Sequence, residues 1–270
     1  LLNYTKGKAY AIHHLSIANS ISGDNELCKT LNNTAINLAD SLKEYTLLTG
    51  TYNVKAFILK KEGKPEAAVE IYQLALDIAT RENDKKSVSN ISLNIGEFHT
   101  RNGELEKARD YFLLGIKFAE ESGTLHNISW GYSMMASTFR KEKKYKEASN
   151  YLKKAIKKAE ALKDIRAISY AKSRLAKVYL ETGKIKSAQE QSLEAIDLSK
   201  KVGDKEVLAE EYLHLMSIYL KANQPHKAIN IGHKGIELTN EIESIQKKLR
   251  ILLLLAQSLF SQAAQILFFP

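Results

Sequence analysis

The chain has 270 residues, 44% of them apolar, with 40 Lys and Arg against 31 Asp and Glu for a formal charge of +9. Three prolines and 13 glycines amid abundant Ala, Leu, Lys and Glu disfavour a turn-dense all-β fold, and a lone cysteine, Cys28, excludes an internal disulfide or a cysteine-based zinc site. The positive balance favours acidic partners in general, but the lysines recur at helical spacing as on a solvated face, which argues against a nucleic-acid stripe.

The opening LLNYTKGKAY has no initiating Met and no basic-plus-apolar leader pattern, which predicts a chain cut from a longer protein, with a cytoplasmic, reducing setting for Cys28. From there a forty-residue ruler organises the chain. Gly23, Gly63, Gly103 and Gly183 fall on it, with Lys143 and Asn223 in the same column. Five residues later stand Cys28, Ala68, Ala108, Ala148, Ala188 and Ala228, and seven further on Ala35, Ala75, Gly115, Ala155, Ala195 and Gly235. Each of the latter precedes Ile or Leu, so small residues let two helices approach while the neighbour fills the remaining space.

Asp84, Thr124, Asp164, Asp204 and Ser244 keep the same interval and suit helix N-caps. Pro65 and Pro225 stand where a second helix starts, a position that needs no N–H. Each unit therefore reads as a helical hairpin; in the third, helix A spans about 86–101 and helix B about 105–121. The predicted organisation is a single array over 1–270, with repeats at 4–43, 44–83, 84–123, 124–163, 164–203 and 204–243 and a capping helix at 244–262. The uncharged run ILLLLAQSLFSQAAQILFFP is long enough to span a bilayer, but five Ser and Gln residues interrupt it and its register continues helix A, so it reads as the cap. The tail 263–270 has no assigned role.

In NIGEFHTRNGELEKARDYFLLGI the pattern supplies Ile95, Gly96, Gly103, Ala108, Phe112 and Gly115, with His99 where a Tyr is common; RLAKVYLETGKIKSAQEQSLEAI supplies Leu175, Ala176, Tyr179, Gly183, Ala188 and Ala195. These units resemble the tetratricopeptide repeat (TPR), and the forty-residue period resembles its long-helix variants in kinesin light chain, spindle-orientation adaptors and bacterial Rap-type regulators. The resemblance implies an all-α, right-handed α-solenoid superhelix whose concave groove is lined by positions two, six, nine and thirteen of each helix A. Those positions hold Asn90, Asn94, Glu97 and Arg101 in the third unit, Trp130, Met134, Ser137 and Lys141 in the fourth, and Tyr170, Arg174, Lys177 and Glu181 in the fifth. Asn53, Lys60, Ser133 and Arg140 flank them.

Asn94 precedes the Ile-Gly pair, where peptide-binding long-repeat members place Asn, and an amide can pair with both the C=O and the N–H of an extended peptide. A solvated helix-surface Asn is the alternative. Lys60, Lys61, Arg101, Arg140, Lys141, Arg174 and Lys177 either make the groove basic, favouring an acidic segment, or form an ordinary charged surface. Trp130 is either a groove anchor or a packing residue. The seven His residues lack metal-ligand spacing, Cys28 occupies a packing position, and no phosphate-binding Gly loop occurs, so neither metal, cofactor nor catalysis is expected. The expected function is a scaffold that binds a partner protein or peptide in the groove, with neither membrane nor direct nucleic-acid contact. The alternative is a sensory module of a larger bacterial regulator.

Overall fold

Successive apolar-polar segments, most of them seventeen or eighteen residues long and joined by turns of two or three residues, dictate an all-helical chain, and the computed structural model, which describes residues 2–268, contains thirteen α-helices and no strand among them. They are α1 (Leu2–Ser22), α2 (Asn25–Ser41), α3 (Tyr45–Lys61), α4 (Pro65–Arg81), α5 (Lys85–Arg101), α6 (Leu105–Ser122), α7 (Leu125–Lys141), α8 (Tyr145–Ala161), α9 (Ile165–Glu181), α10 (Ile185–Val202), α11 (Lys205–Lys221), α12 (Pro225–Glu241) and α13 (Ile245–Phe268). Phe269 and Pro270 of the apolar tail lie outside the described residues. The chain divides into a first compact unit ending at Thr138 and a second starting at Phe139.

The turns explain why the helices end where they do. Gly63, Gly103, Gly123, Gly183 and Gly203 all have positive φ, and so do Lys43, Asn83, Lys143, Lys163, Asn223 and Glu243. The next residue's N–H then returns to a carbonyl five residues back, as in Lys64 to Leu59, Asp84 to Ala79 and Thr124 to Ala119. This is the Schellman closure of a helix C-terminus. The turn from helix A to helix B and the turn from B to the next A thus share one geometry, and it recurs every twenty residues rather than every forty. The sequence shows only half of it, because Lys, Asn and Glu stand at many of the left-handed positions that glycine would mark. Asp84, Asp164 and Asp204 cap their helices as expected, accepting the N–H of Ser87, Ala167 and Val207 at 3.1, 3.0 and 3.1 Å. Asp24 does the same for α2 through Leu27 at 3.0 Å.

Within each unit the core is a series of local clusters rather than one nucleus. In the first unit, Ala56 of α3, Ala68, Tyr72 and Ala75 of α4 and Ile91 and Ile95 of α5 pack together. Cys28 of α2 is buried against Val54 and Ile58 of α3. In the second unit, Ala176, Ala188 and Ile218 join α9, α10 and α11, while Leu213, Met216, Ile251 and Leu255 join α11 to α13. One hairpin buries only part of its apolar surface; the helix A that follows covers the rest, which is the logic of stacked repeats. The small-residue columns serve that closeness: Ala108, Ala148, Ala188 and Ala228 all have 0% exposure. No described helix is long and apolar enough to cross a membrane.

Candidate functional site

Spacing of three and four residues places Asn90, Asn94, Glu97 and Arg101 on one face of α5. In the first unit Asn94 Nδ2 donates to Asn53 Oδ1 of α3 at 2.9 Å, and both residues are half-buried. Lys60 of α3 and Arg101 both donate to the Glu97 carboxylate, at 3.1 and 2.7 Å. Lys60 of α3, Tyr72 of α4 and Asn94, Glu97, Phe98 and Arg101 of α5 line a cleft where these three helices meet. Asn90 is drawn elsewhere: its Oδ1 accepts from Asn127 Nδ2 of α7 at 2.6 Å, and the same amide reaches Ser89 Oγ at 2.9 Å. On α7, Trp130 and Ser137 are half-buried. Ser133 has only 2% exposure, so this expected groove residue offers no surface to a ligand. Met134, expected at position six of the same groove, is also buried, with 5% exposure, so α7 turns both residues into the core rather than toward a ligand.

The remaining predicted residues gather in the second unit. Arg140 donates to Glu181 Oε1 at 2.5 Å, whereas Lys141 is exposed. The Arg174 guanidinium lies over the Tyr170 ring, 4.3 Å from its centroid, and also donates to the Tyr170 hydroxyl. Lys177 is half-buried; burial pushes its ammonium pKa below the ordinary value, with the Arg174 and Arg140 charges adding to the shift and Glu210 and Glu211 opposing it. Facing them from α11 and α13 is a set that sequence reasoning missed. His214 Nε2 lies 3.2 Å from Glu210 Oε1, His214 Nδ1 lies 3.2 Å from Ser173 Oγ, and Arg250 holds Glu210 with two bonds of 2.9 and 3.2 Å. Counting positions two and six one unit further would have found Glu210 and His214, and one more unit gives Arg250.

The family model for the MalT-like TPR region matches residues 8–259. The chain belongs to that family. A segment of 89 residues, 31% of the chain, is 28% identical to response regulator aspartate phosphatase A of Bacillus subtilis (strain 168), and it spans only 24% of that protein's length. Aspartyl phosphate phosphatase F from Bacillus subtilis is similar in structure with a TM-score of 0.71 at 14% identity, over 96% of this chain and 79% of that one. A Rap protein complexed with competence and sporulation factor gives a TM-score of 0.68 at 11% identity, over 93% and 86%. At such identities the structural likeness shows a shared helical-repeat fold.

In this TPR region the helix-A surfaces carry amides, hydroxyls and paired charges, groups suited to recognition. Among the described residues no group of three His, Cys, Asp or Glu side chains is placed to hold a metal ion. The Glu210 network has a pH signature. The hydrogen bond from His214, supported by Arg250, lowers the Glu210 carboxyl to about 2 against an opposing cost of burial. A folded-state value below the unfolded 4.5 means that the stabilisation is present above pH 4.5 and is lost as the pH falls through 4.5 toward 2. With Glu210 about a third exposed, this contributes about 1 kcal/mol after solvent screening. Urea titrations across that window should show the wild type losing this increment and Glu210→Gln lacking it; parallel acid profiles would show that the network adds nothing.

Proposed function

We propose that this TPR region is a protein-recognition module that holds an extended segment of a partner against the helix-A surface of its first unit, at the Asn53–Asn94 pair. The carrying observation is the pairing itself. One hydrogen bond joins the two amides, which leaves the Asn53 Nδ2 group and the Asn94 Oδ1 atom without a further bond among the described residues. Whichever way the two amides are turned together, one donor and one acceptor remain on adjacent helices. An extended backbone offers the complementary C=O and N–H whatever its side chains are. Because Lys60 and Arg101 already share Glu97, this surface suits backbone recognition better than attraction of acidic side chains. A cytoplasmic setting, where a buried lone thiol such as Cys28 stays reduced, fits the role.

A peptide-array screen of the 270-residue chain tests the reading. Replacing Asn53 and Asn94 together by alanine removes both partners of their mutual bond, so no orphan is left and the melting temperature should hold. Two lost bonds to a peptide backbone correspond to about 1–3 kcal/mol, or roughly 5- to 150-fold weaker binding. Unchanged affinity for the peptides that bind the wild type would overturn the assignment.

A second reading is favoured by the match to response regulator aspartate phosphatase A: the region is the regulatory part of a longer signalling protein, and binding at Asn53 and Asn94 changes its conformation. Hydrogen exchange with and without a peptide from the screen separates the two. Protection extending through the helices of the first unit supports regulation, whereas protection confined to α3 and α5 supports a passive scaffold.

A further inference from the structure

The positive charge of the chain is concentrated in one place. Residues 141–163 hold nine lysines and three glutamates, so these 23 residues supply six of the nine net positive charges. Helix α8 turns Ala148, Leu152, Ala155, Ile156 and Ala159 inward, and its opposite face exposes Lys146, Lys153, Lys154, Lys157 and Lys158. Lys146, Lys153, Lys157 and Lys158 have no ion-pair partner among the described residues, unlike Lys60, Arg101 and Arg140 of the helix-A surfaces. Nor does the pattern follow from being a helix B: α4, in the same place in its hairpin, carries Glu66, Glu70 and Asp77 against Arg81. Like charges three and four residues apart on a helix repel, so α8 is less stable than a mixed surface would make it and maintains a positive field. A shallow depression lined by Glu147, Asn150, Tyr151, Lys153, Lys154 and Lys157 runs along this face, three ammonium groups against one carboxylate.

We infer that the outer face of α8 docks an acidic polypeptide segment, at a surface separate from the Asn53–Asn94 pair and independent of it. Three features select carboxylates on a polypeptide over other polyanions. The exposed cations of α8 are all lysines, so it presents no guanidinium fork for base edges or phosphates. Tyr151, the aromatic in the depression, is stacked on Phe139 at 5.3 Å and carries the Lys154 ammonium 5.0 Å over its ring, which withholds it from nucleobase stacking. No large apolar side chain of α8 is exposed, so nothing there inserts into a bilayer. From Lys146 to Lys158 the stripe runs about 18 Å at 1.5 Å per residue, the reach of three turns of an acidic helix or about six extended residues.

Fluorescence anisotropy of a labelled 20-residue poly-glutamate peptide, titrated with the 270-residue chain at low and at moderate salt, tests the inference. Poly-glutamate should bind, weaken at least tenfold on raising the salt, and bind at least tenfold more weakly to the chain carrying Lys153→Gln, Lys154→Gln, Lys157→Gln and Lys158→Gln. These are exposed replacements between residues of similar helix propensity, so the melting temperature should not fall. The Asn53→Ala, Asn94→Ala chain should bind poly-glutamate like the wild type, which separates failure of this surface from failure of the peptide site. Unchanged affinity in the fourfold glutamine variant would overturn the inference, as would tighter binding of a 20-base-pair DNA duplex or of phosphatidylserine vesicles than of poly-glutamate.

Discussion

Replacing Phe112 by alanine will lower the unfolding free energy by about 3–5 kcal/mol, and the size of the loss will depend on residue 96. Phe112 of α6 has 0% exposure and is among the largest wholly buried side chains. Its ring fills the space left by Gly96 of α5: a Cβ at position 96 would lie 2.5 and 2.6 Å from two ring carbons and 3.1 Å from the Ala108 carbonyl oxygen. Elsewhere in a helix, glycine to alanine stabilises by about 1 kcal/mol. Here the ring has nowhere to move, so Gly96→Ala should instead cost about 1–3 kcal/mol. Once Phe112→Leu has removed the ring edge, the 3.1 Å approach to the Ala108 carbonyl oxygen is what remains, so Gly96→Ala should cost less than it does beside Phe112. Urea titrations of the four proteins in that cycle measure the coupling. Additive effects would show that Gly96 and Phe112 do not meet.

Ala188→Leu should cost about 1–3 kcal/mol in the second unit for the opposite reason, added volume. Ala188 of α10 packs with Ala176 of α9 and Ile218 of α11, and the three have exposures of 0%, 0% and 1%. Three further carbons there must push α10 away from its neighbours or force Tyr179 and Leu180, which border the cluster, out of their rotamers. The control Ala188→Gly adds no volume and should cost about 1 kcal/mol through helix propensity alone. A thermal melt of Ala188→Leu that matches the wild type would remove this residue from the interhelix contact.

The capping aspartates and the small-residue columns were legible without a structure, because each is a local regularity. A hairpin whose helices meet at Ala68 and Ala75 needs small residues at that spacing, and a helix that starts after Asp84 needs a side chain to take its free N–H. Helix A and helix B of the third unit accordingly end within a residue of their expected bounds, at Lys85–Arg101 and Leu105–Ser122. The twenty-residue recurrence of the turn was only half legible. Lys43, Lys163 and Glu243 adopt the left-handed conformation that their residue types do not announce, because closing the helix end offsets its small local cost.

For the polar surface, the sequence by itself determined which residues share a face of each helix A, since a helical period of 3.6 residues requires nothing beyond the chain. Only the tertiary structure decided what each of those residues touches. Asn94 meets Asn53 from forty-one positions away, Lys60 and Arg101 converge on Glu97, Asn90 is taken by Asn127, and Ser133 is buried. Partnership across stacked helices depends on their separation and rotation and on the rotamers that packing permits, and those quantities arise only when one hairpin settles against the next.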